Sequence, residues 1–298
     1  MQGMNVMYII LYNPLSKNKK AKRVTKKVVD LFKKNNVPFR LKSLLKIKDI
    51  EKYIKSTPKD IKLLLLGGDG TVNTFINQTY SLHLEQEIYL MGVGSGNDFM
   101  RSLNKQKPDT QPVMRMNFDR KKRFFINGSG LGMDGMIAHR VNQSTSKNRF
   151  NYFFNTIRTF LSFKPKYMEA VIDGKLHTFK KAFLINVNSG QYIGGGMRLT
   201  PDVLLEDDEF EVIIVHKLNK LLLLLIFISV YLGFHTKFKR YVFTTKAKHV
   251  KATMFSTQIS QCDGETFPGT HTIEVSTTGK KAAFKVFDEK QIQTEKNT

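Results

Sequence analysis

The segment from Leu63 to Asn73 constrains the fold of this chain more than any other, because an apolar run leads directly into a glycine-rich turn. The run Leu63-Leu64-Leu65-Leu66 is short and wholly apolar, as expected of a strand buried on both faces of a parallel sheet. The turn Gly67-Gly68-Asp69-Gly70-Thr71-Val72-Asn73 lets backbone N–H groups converge on an anion, and a helix starting near Thr71 would add the positive end of its dipole. The segment therefore predicts a strand, a phosphate-binding turn and a helix.

The chain before residue 94 alternates between predicted strands and predicted helices. The strands are expected at 7–12, 39–44, 61–66 and 88–93, and the helices at 19–34, 47–55 and 71–80. In the first helix, apolar residues recur at three- and four-residue spacing, with lysines on the opposite face. This alternation predicts a largely parallel sheet with helices on both faces and ligands at the carboxyl ends of the strands.

Three turns follow predicted strands at the ends where such ligands bind: residues 13–17, 67–73 and 92–98. Two of them carry an aspartate, Asp69 and Asp98. A carboxylate beside phosphates is repulsive unless a divalent cation or a transferable proton lies between them. The three turns together predict a phosphate site with a carboxylate in its wall.

The pattern changes after about residue 125 to short alternating segments separated by turns, which predicts a mostly β second domain. The predicted elements include a hairpin that turns at Asp173-Gly174 and two strands at 250–254 and 257–262. One long apolar run, Leu221 to Phe234, interrupts it and is shorter than the 18–20 or so residues needed to span a bilayer. Lysines and an arginine flank this run on both sides. Two interpretations stay open: a helix buried in the core, or a helix at the interface of an anionic membrane.

Charge and cysteine content exclude some classes of protein. The 48 Lys+Arg and 25 Asp+Glu give a net charge of +23, so the expected partners are anionic: nucleic acid, an acidic membrane surface or phosphorylated ligands. The single cysteine, Cys262, excludes an internal disulfide and a multi-cysteine metal site. With no secretory signal at the N-terminus, we expect a cytoplasmic protein.

Five motifs occur in an order that resembles the diacylglycerol kinase catalytic-domain superfamily, which includes sphingosine kinases and soluble bacterial lipid kinases. They are Asn13-Pro14, Gly67-Gly68-Asp69-Gly70-Thr71-Val72-Asn73, Gly94-Ser95-Gly96-Asn97-Asp98-Phe99-Met100-Arg101, Gly130-Leu131-Gly132-Met133-Asp134 and Asp263-Gly264-Glu265. The resemblance covers nearly the whole chain, and the order of the motifs is more specific than any one of them.

The resemblance implies a fold of two domains. The first is a three-layer α/β nucleotide-binding domain akin to those of phosphofructokinases and NAD kinases, expected over 1–124 with the C-terminal segment 286–298. The second is a β-sandwich that binds the lipid substrate, expected over 125–285. The soluble bacterial members also suggest a homodimer formed by strand pairing.

The resemblance further implies the site residues. Glu265 corresponds to the general base, and Asp69, Asp98, Asp134 and Asp263 to an acidic cluster that holds catalytic Mg²⁺. A structural magnesium site would use the carboxylate of Asp207 and the backbone carbonyls of Leu204 and Glu209. The residues expected to contact ATP are Asn13, Pro14, Leu15, Ser16, Lys17, Ser43, Gly67, Gly68, Asp69, Gly70, Thr71, Val72, Asn73 and Ser95.

Four positions depart from the family pattern. Thr74 replaces a usual glutamate, Gly92 a proline, Ser95 a threonine and Asp208 a glycine. Ser95 keeps the hydroxyl, whereas Thr74 and Asp208 bear on the carboxylate network and on the metal loop.

The expected function is an ATP- and Mg²⁺-dependent lipid kinase whose acceptor is diacylglycerol or a related lipid alcohol. It would bind the inner face of the membrane peripherally through its basic surface, at about 1 kcal/mol per basic residue near the surface. The alternatives are a kinase for a soluble acceptor such as NAD, a nucleic-acid-binding protein and a catalytically silent nucleotide or lipid sensor. Nucleic acid is not expected as a partner, because the chain has no zinc-finger or RNA-recognition signature.

Overall fold

The structure, a computed structural model, describes residues 8–15, 20–93, 97–144 and 149–295. The chain forms two compact units: Met1–Thr110 with Ala282–Thr298, and Gln111–Lys281. The strands are β1 Tyr8–Tyr12, β2 Phe39–Ser43, β3 Lys62–Gly67, β4 Ile88–Gly92, β5 Gln111–Phe118, β6 Lys121–Phe125, β7 Gly128–Gly132, β8 Lys166–Ile172, β9 Lys175–Asn188, β10 Phe210–His216, β11 Val242–Ala247, β12 His249–Cys262, β13 Glu265–Ala282 and β14 Phe284–Val286. The helices are α1 Lys20–Lys34, α2 Ile50–Lys55, α3 Asp69–Thr79, α4 Asp98–Gln106, α5 Met133–Gln143, α6 Arg149–Ser162, α7 Lys220–Val230 and α8 Glu289–Glu295.

The first unit is built on a parallel sheet, as the alternating pattern predicts. Its five strands lie in the order β14-β4-β3-β1-β2, and every neighbouring pair is parallel. The chain moves from β1 to β2 on one side and then to β3 on the other. The strand order therefore reverses at β1, where open α/β sheets bind their ligands.

The C-terminal segment completes this first unit, as the resemblance implies. β14 adds a fifth strand beside β4, and Phe287 contributes its ring to the core. The Phe287 ring lies 6.1 Å from that of Phe32 and 6.5 Å from that of Tyr8. The last strand of the chain is thus part of the first core, although 171 residues of the second unit separate it from β4 in sequence order.

The second unit is β-rich, and two of its long strands each pair with the same two neighbours. β9 and β12 each have 14 residues. The later half of each strand pairs with β7, and the earlier half pairs with β8. These four strands therefore close around an apolar core that includes Met168, Ile185 and Val250.

Several elements differ from the sequence prediction. The segments 250–254 and 257–262, expected as two strands, form one strand with a shifted register between Thr253 and Gln258. The predicted hairpin at Asp173-Gly174 is confirmed, and both residues have positive φ. Helices α5 and α6 were not predicted, because their apolar residues are interrupted by polar ones that are buried only in tertiary contacts, such as Asp134 and Thr156.

The division between the units lies nearer the N-terminus than the expected boundary at 124/125. β5 and β6 form a hairpin and lie at one edge of the large sheet beside β13. Their strand pairing therefore assigns residues 111–124 to the second unit.

The long apolar run forms α7, which ends at Val230 rather than at Phe234. Among the residues that the structure describes, no helix is both long enough and apolar enough to cross a membrane.

Candidate functional site

The carboxyl edge of the first sheet collects the predicted nucleotide-binding residues. Tyr12 pairs in register with Ser43 on β2 and with Leu66 on β3, and Gly67 pairs with Gly92 on β4. The turns after β1 and β3 and the last residue of β2 therefore follow one another along this edge. Of the predicted ATP contacts, Ser16, Lys17 and Ser95 lie outside the described residues.

The glycine turn is shaped by close packing at its first residue. A Cβ on Gly67 would lie 2.3 Å from Oγ1 of Thr71, whereas a Cβ on Gly70 would meet no atom within 4 Å. Gly67 is thus required by contact with the first turn of α3, and Gly70 leaves the space over that turn open. Thr71, Val72 and Asn73 are buried in the helix. The open surface for an anion is consequently backbone, at the N-terminal end of α3.

Asp69 joins the two glycine-rich turns of this unit. Its carboxylate accepts hydrogen bonds from the N–H groups of Asp98 at 2.8 Å and of Phe99 at 3.3 Å. It therefore caps α4, satisfying N–H groups that a helix leaves unpaired at its start. The Asp98 carboxylate is buried and pairs with Arg101 at 3.2 Å. Both aspartates have a structural role at the site.

The turn after β1 is closed by Asn13, whose Oδ1 accepts the N–H of Leu15 at 3.0 Å. Such an Asx turn fixes the backbone at the end of the strand. Pro14 is partly buried and Leu15 is exposed. These three residues lie in one turn next to the end of β2.

A cavity of about 630 Å³ opens beside the ends of β1 and β2, and apart from Ser43 the sequence did not indicate its lining. Tyr12 and Ser43 line the cavity together with four lysines from the segment that runs from β2 to α2. These lysines are Lys42, Lys46, Lys48 and Lys52. Among the described residues of the lining, Asp49 is the one acidic side chain that offsets their charge. The volume suits a nucleoside or a comparable ligand, and the lysines favour an anionic one.

The Asp263-Gly264-Glu265 turn of the second unit is held by backbone donors. Asp263 and Gly264 both have positive φ, so the two residues form the tight link between β12 and β13. The Asp263 carboxylate accepts the N–H groups of Ile126, Asn127 and Gly128 at 3.2, 3.1 and 2.9 Å. Asp263 is therefore a capping residue of the segment between β6 and β7.

Gln261 connects this turn to Asp134 on α5. Its Nε2 donates to Oδ2 of Asp134 at 2.8 Å, and its Oε1 accepts the N–H of Gly264 at 2.9 Å. Asn142, also on α5, donates to the carbonyl of Gly264 at 2.8 Å. Neither Gln261 nor Asn142 stands out in the sequence, because single amides carry no motif. The structure thus brings Asp134, Asp263 and Glu265 to one end of the second sheet.

Asp134 is buried, and burial raises the pKa of its carboxyl to about 6, with hydrogen bonds from Gln261 and Asn186 opposing the shift. The glycines of its motif make room for it. A Cβ on Gly130 would lie 2.3 Å from Oδ2 of Asp134, and one on Gly135 would lie 2.0 Å from the carbonyl oxygen of Ile259. The motif therefore packs a carboxyl group against the bare backbone of β7.

Glu265 is half-exposed at the start of β13, where its Oε2 lies 3.3 Å from Nε of Arg123. The guanidinium of Arg123 also lies over the ring of Phe267, 5.6 Å from its centroid. This arrangement holds a carboxylate at the surface of the unit, within reach of a ligand from solvent.

The expected structural magnesium loop is arranged around a lysine. Asp207 pairs with Nζ of Lys246 at 2.9 Å, and the carbonyl of Leu204 accepts the N–H of Asp207 at 3.2 Å. Two of the three expected ligands, which also include the Glu209 carbonyl, thus already have protein partners. A Mg²⁺ ion bound through Asp207 would therefore compete with the Lys246 ammonium for this carboxylate. Within the described ranges, no group of three or more His, Cys, Asp or Glu residues is placed to hold a metal ion.

Each of the two units of this chain matches a known protein family. Residues 7–123 match the diacylglycerol kinase catalytic domain, and residues 129–278 match the YegS C-terminal NAD kinase beta sandwich-like domain. Together these two regions cover most of the chain.

Individual relatives are similar over part or all of the chain. A "Putative lipid kinase" of Staphylococcus aureus (strain JH9) and another of S. aureus (strain bovine RF122 / ET3-1) are each 30% identical, with the similarity covering 57% of this chain and 61% of the relative. A solved structure of a "putative diacylglycerol kinase" from Bacillus anthracis matches with a TM-score of 0.68 at 16% identity, over 93% of this chain and 95% of that one. A second B. anthracis structure, described as a diacylglycerol kinase, has a TM-score of 0.65 at 19% identity, over 92% and 94%. The structural similarity to these two proteins confirms the fold, an α/β domain with a β-rich second domain.

The burial of Asp134 predicts that the free energy of unfolding depends on pH. Because its folded pKa of about 6 exceeds the ordinary aspartate pKa of 3.8, the folded protein binds this proton more tightly than the unfolded chain. The stability of the wild type should therefore fall as pH rises from about 4 to about 6, by up to about 3 kcal/mol. Asp134→Asn should lack this slope, so its Tm relative to wild type should increase from pH 4 to pH 7. The exposed matched change Asp60→Asn should show no such trend, and a constant difference for Asp134→Asn would contradict the burial of a titrating carboxyl.

The Lys246–Asp207 pair predicts that the loop does not depend on magnesium. In nucleotide-free protein, the Tm of the wild type should be the same in EDTA and in millimolar Mg²⁺. Lys246→Met should lower Tm by about 2 °C, because a half-exposed pair contributes up to about 1 kcal/mol, and added Mg²⁺ should restore part of that loss. Lys248→Met is the matched control. A wild-type Tm that rises with Mg²⁺, and no longer rises in Asp207→Asn, would instead support the magnesium site implied by the resemblance.

Proposed function

Because this chain belongs to the family that joins a diacylglycerol kinase catalytic domain to a YegS-type C-terminal domain, we propose that it is an ATP-dependent lipid kinase. It transfers the γ-phosphoryl group of ATP to the hydroxyl of diacylglycerol, giving phosphatidic acid, or to the hydroxyl of a related membrane lipid. A kinase domain implies ATP as the donor. The observation that carries the proposal is the glycine turn of α3, which lies within the matched catalytic domain and whose Asp69 caps α4.

The donor site is supported by the carboxyl edge of the first sheet. The lysine-lined cavity next to Ser43 has room for the nucleoside and charge for its phosphates. The backbone at the start of α3 can hold phosphate oxygens, since Gly70 leaves the surface above it open. Mg²⁺, when bound with the nucleotide, would neutralise phosphate charge, and Asp69 and Asp98 are the carboxylates of this unit that would hold it.

The proposed general base is Glu265. Its carboxylate accepts the proton of the acceptor hydroxyl while that oxygen forms a bond to the γ-phosphorus. The bond from the γ-phosphorus to the bridging oxygen of ADP breaks, and ADP leaves with that electron pair. The Asp263-Gly264 turn and Arg123 support this role, because they fix the Glu265 backbone and hold its carboxylate at the surface.

A lipid acceptor accounts for the basic composition. The net charge of +23 favours an anionic surface, and a peripheral protein can use it without a spanning helix. The enzyme would then act at the inner face of the membrane, facing the cytoplasm. A soluble acceptor such as NAD would give the basic surface no comparable task.

The acceptor can be identified by direct transfer. Purified protein is incubated with labelled ATP, Mg²⁺ and mixed micelles that each contain one lipid alcohol: diacylglycerol, phosphatidylglycerol, a sphingoid base or a polyprenol. NAD and nucleic acid serve as control acceptors. We expect label in a lipid, with diacylglycerol first. Label in NAD alone would replace the lipid acceptor with a soluble one, and no label in any acceptor would contradict the kinase proposal.

Replacing the proposed base separates chemistry from binding. Glu265→Gln should lower kcat by about 10²- to 10⁴-fold, since the amide cannot take the proton. The affinity for ATP, measured by calorimetry, should be kept, because the proposed base acts on the acceptor hydroxyl and the amide has the same size and shape as the carboxylate. The exposed Glu289→Gln should keep full activity. A Glu265→Gln variant with wild-type kcat would exclude Glu265 as the base.

A further inference from the structure

Helix α7 is apolar on two faces, although a surface helix normally has one apolar face. Four residues on its inner face, Leu223, Ile226, Phe227 and Val230, are buried in the second core of this unit. A second set at four-, three- and four-residue spacing points to solvent. Its members and their exposed fractions are Leu221 70%, Leu225 55%, Ile228 53% and Leu232 64%. Leu221, Leu225 and Ile228 follow one face of α7, and Leu232, two residues beyond the end of the helix, continues the same spacing. We call these four residues the apolar stripe.

Helix α6 extends this exposed surface. It packs against α7 through Phe153 and Phe160, whose rings lie 6.1 and 5.1 Å from that of Phe227. Phe153 is nevertheless 40% exposed, and Phe154 and Leu161 are exposed by 66% and 62%. The residues of this α6–α7 surface are Phe153, Phe154, Leu161, Leu221, Leu225, Ile228, Leu232 and Phe234. So many large apolar side chains on two adjoining helices mark an interaction site.

The α6–α7 surface lies in a part of the sequence without acidic residues. No Asp or Glu occurs between Asp134 and Glu169, or between Glu211 and Asp263. Exposed basic residues flank the apolar ones instead: Arg158, Lys164, Lys217, Lys220, Lys237, Lys239 and Arg240. Two contacts tie this border to the surface: Nζ of Lys220 donates to the carbonyl of Leu161, and Nζ of Lys237 lies 4.8 Å from the ring centroid of Phe234.

We propose that the α6–α7 surface inserts into the interface of an anionic bilayer, with the basic border against the lipid headgroups. This inference rests on the proposed lipid kinase function and names the surface through which such an enzyme would reach its acceptor. Helix α7 is about 16 Å long, roughly half the thickness of the hydrocarbon core, so it lies in the membrane plane. Its stripe enters the acyl boundary while the basic side chains stay with the phosphates.

Charge favours a bilayer over a second copy of the chain as the occupant. Pairing two such surfaces would bring two acid-free basic borders together, on a chain whose net charge is +23. Like charges at an interface oppose association, whereas anionic headgroups attract every residue of the border. An apolar stripe within a basic border therefore fits an anionic lipid surface.

The test compares the full chain with two variants in vesicle co-sedimentation without nucleotide. Wild-type protein should bind vesicles containing phosphatidylglycerol and lose most of that binding when NaCl rises from about 0.05 M to about 0.5 M. Leu225→Ser/Ile228→Ser should weaken binding by about 10- to 100-fold, since two large apolar groups no longer enter the interface. The matched control is Leu176→Ser/Phe255→Ser, which makes a similar change at residues exposed by 58% and 60% elsewhere in the same unit. It should bind like wild type.

A charge variant tests the basic border of the surface, and its result does not depend on whether Leu225→Ser/Ile228→Ser folds. Lys237→Gln/Lys239→Gln/Arg240→Gln should lower the affinity for anionic vesicles by at least about tenfold and reduce its salt dependence. Lys22→Gln/Lys26→Gln/Lys33→Gln removes three charges from α1 and should have a smaller effect. Equal losses in the two charge variants would overturn the assignment to α6–α7.

Activity on two forms of one acceptor separates this inference from the proposed function. The stripe variant, Leu225→Ser/Ile228→Ser, should keep wild-type kcat on a short-chain, monomeric diacylglycerol. It should lose activity on diacylglycerol embedded in vesicles. If no lipid is phosphorylated, the proposed function fails while the vesicle data still decide the docking surface. Absent vesicle binding by wild type, or unchanged binding by the stripe variant, would overturn the proposal. The proposal would also be overturned if the wild type formed a dimer and did not bind vesicles, and if the stripe variant were monomeric.

Discussion

Backbone N–H groups that converge on a carboxylate hold the loops of two sequence motifs in place. In the first unit, Asp69 accepts two N–H groups at the start of α4. In the second, Asp263 accepts three between β6 and β7. A buried or half-buried loop whose N–H groups lacked an acceptor would cost free energy comparable to several lost hydrogen bonds. Asp69 and Asp263 therefore stabilise the loops of their motifs, whatever part these carboxylates take in the chemistry.

This arrangement explains why the motif residues cluster although they perform different tasks. Glu265 lies two residues after Asp263, with only Gly264 between them, so the carboxylate that fixes the loop also fixes the backbone near the proposed base. Gln261 links the same turn to Asp134, which is buried against a strand of glycines. A site built in this way depends on supporting amides, Gln261 and Asn142, as much as on its acidic residues.

In the proposed function, the chemistry and the location of the reaction would draw on different parts of the molecule. Phosphoryl transfer requires positioning and charge neutralisation, which the glycine turn and the lysine-lined cavity of the first unit can provide. Access to a lipid requires a surface that tolerates both acyl chains and anionic headgroups. The apolar α6–α7 surface and its basic border, on the second unit, have this character.

Much of the fold follows from local sequence pattern. The parallel sheet, the glycine turn and the hairpin at Asp173-Gly174 were predicted because apolar periodicity and turn residues are local signals. Helices α5 and α6 and the continuous strand β12 were missed, since their polar residues are buried only through partners distant in sequence. The motif order likewise indicated Asp134, Asp263 and Glu265 but not Gln261, Asn142 or Arg123, which are ordinary residues until the chain folds.

The sequence by itself determined the family, the two kinds of domain and the strand-to-turn order that presents phosphate-binding backbone, because these depend on residue types at fixed short spacings. Only the tertiary structure decided which carboxylates cap loops, that Lys246 pairs with Asp207, and that four lysines border one cavity. It alone also decided that one face of α7 is buried while the other is exposed. These outcomes depend on distances between residues far apart in the chain, and on which apolar surface finds a partner in the core, neither of which a local pattern encodes.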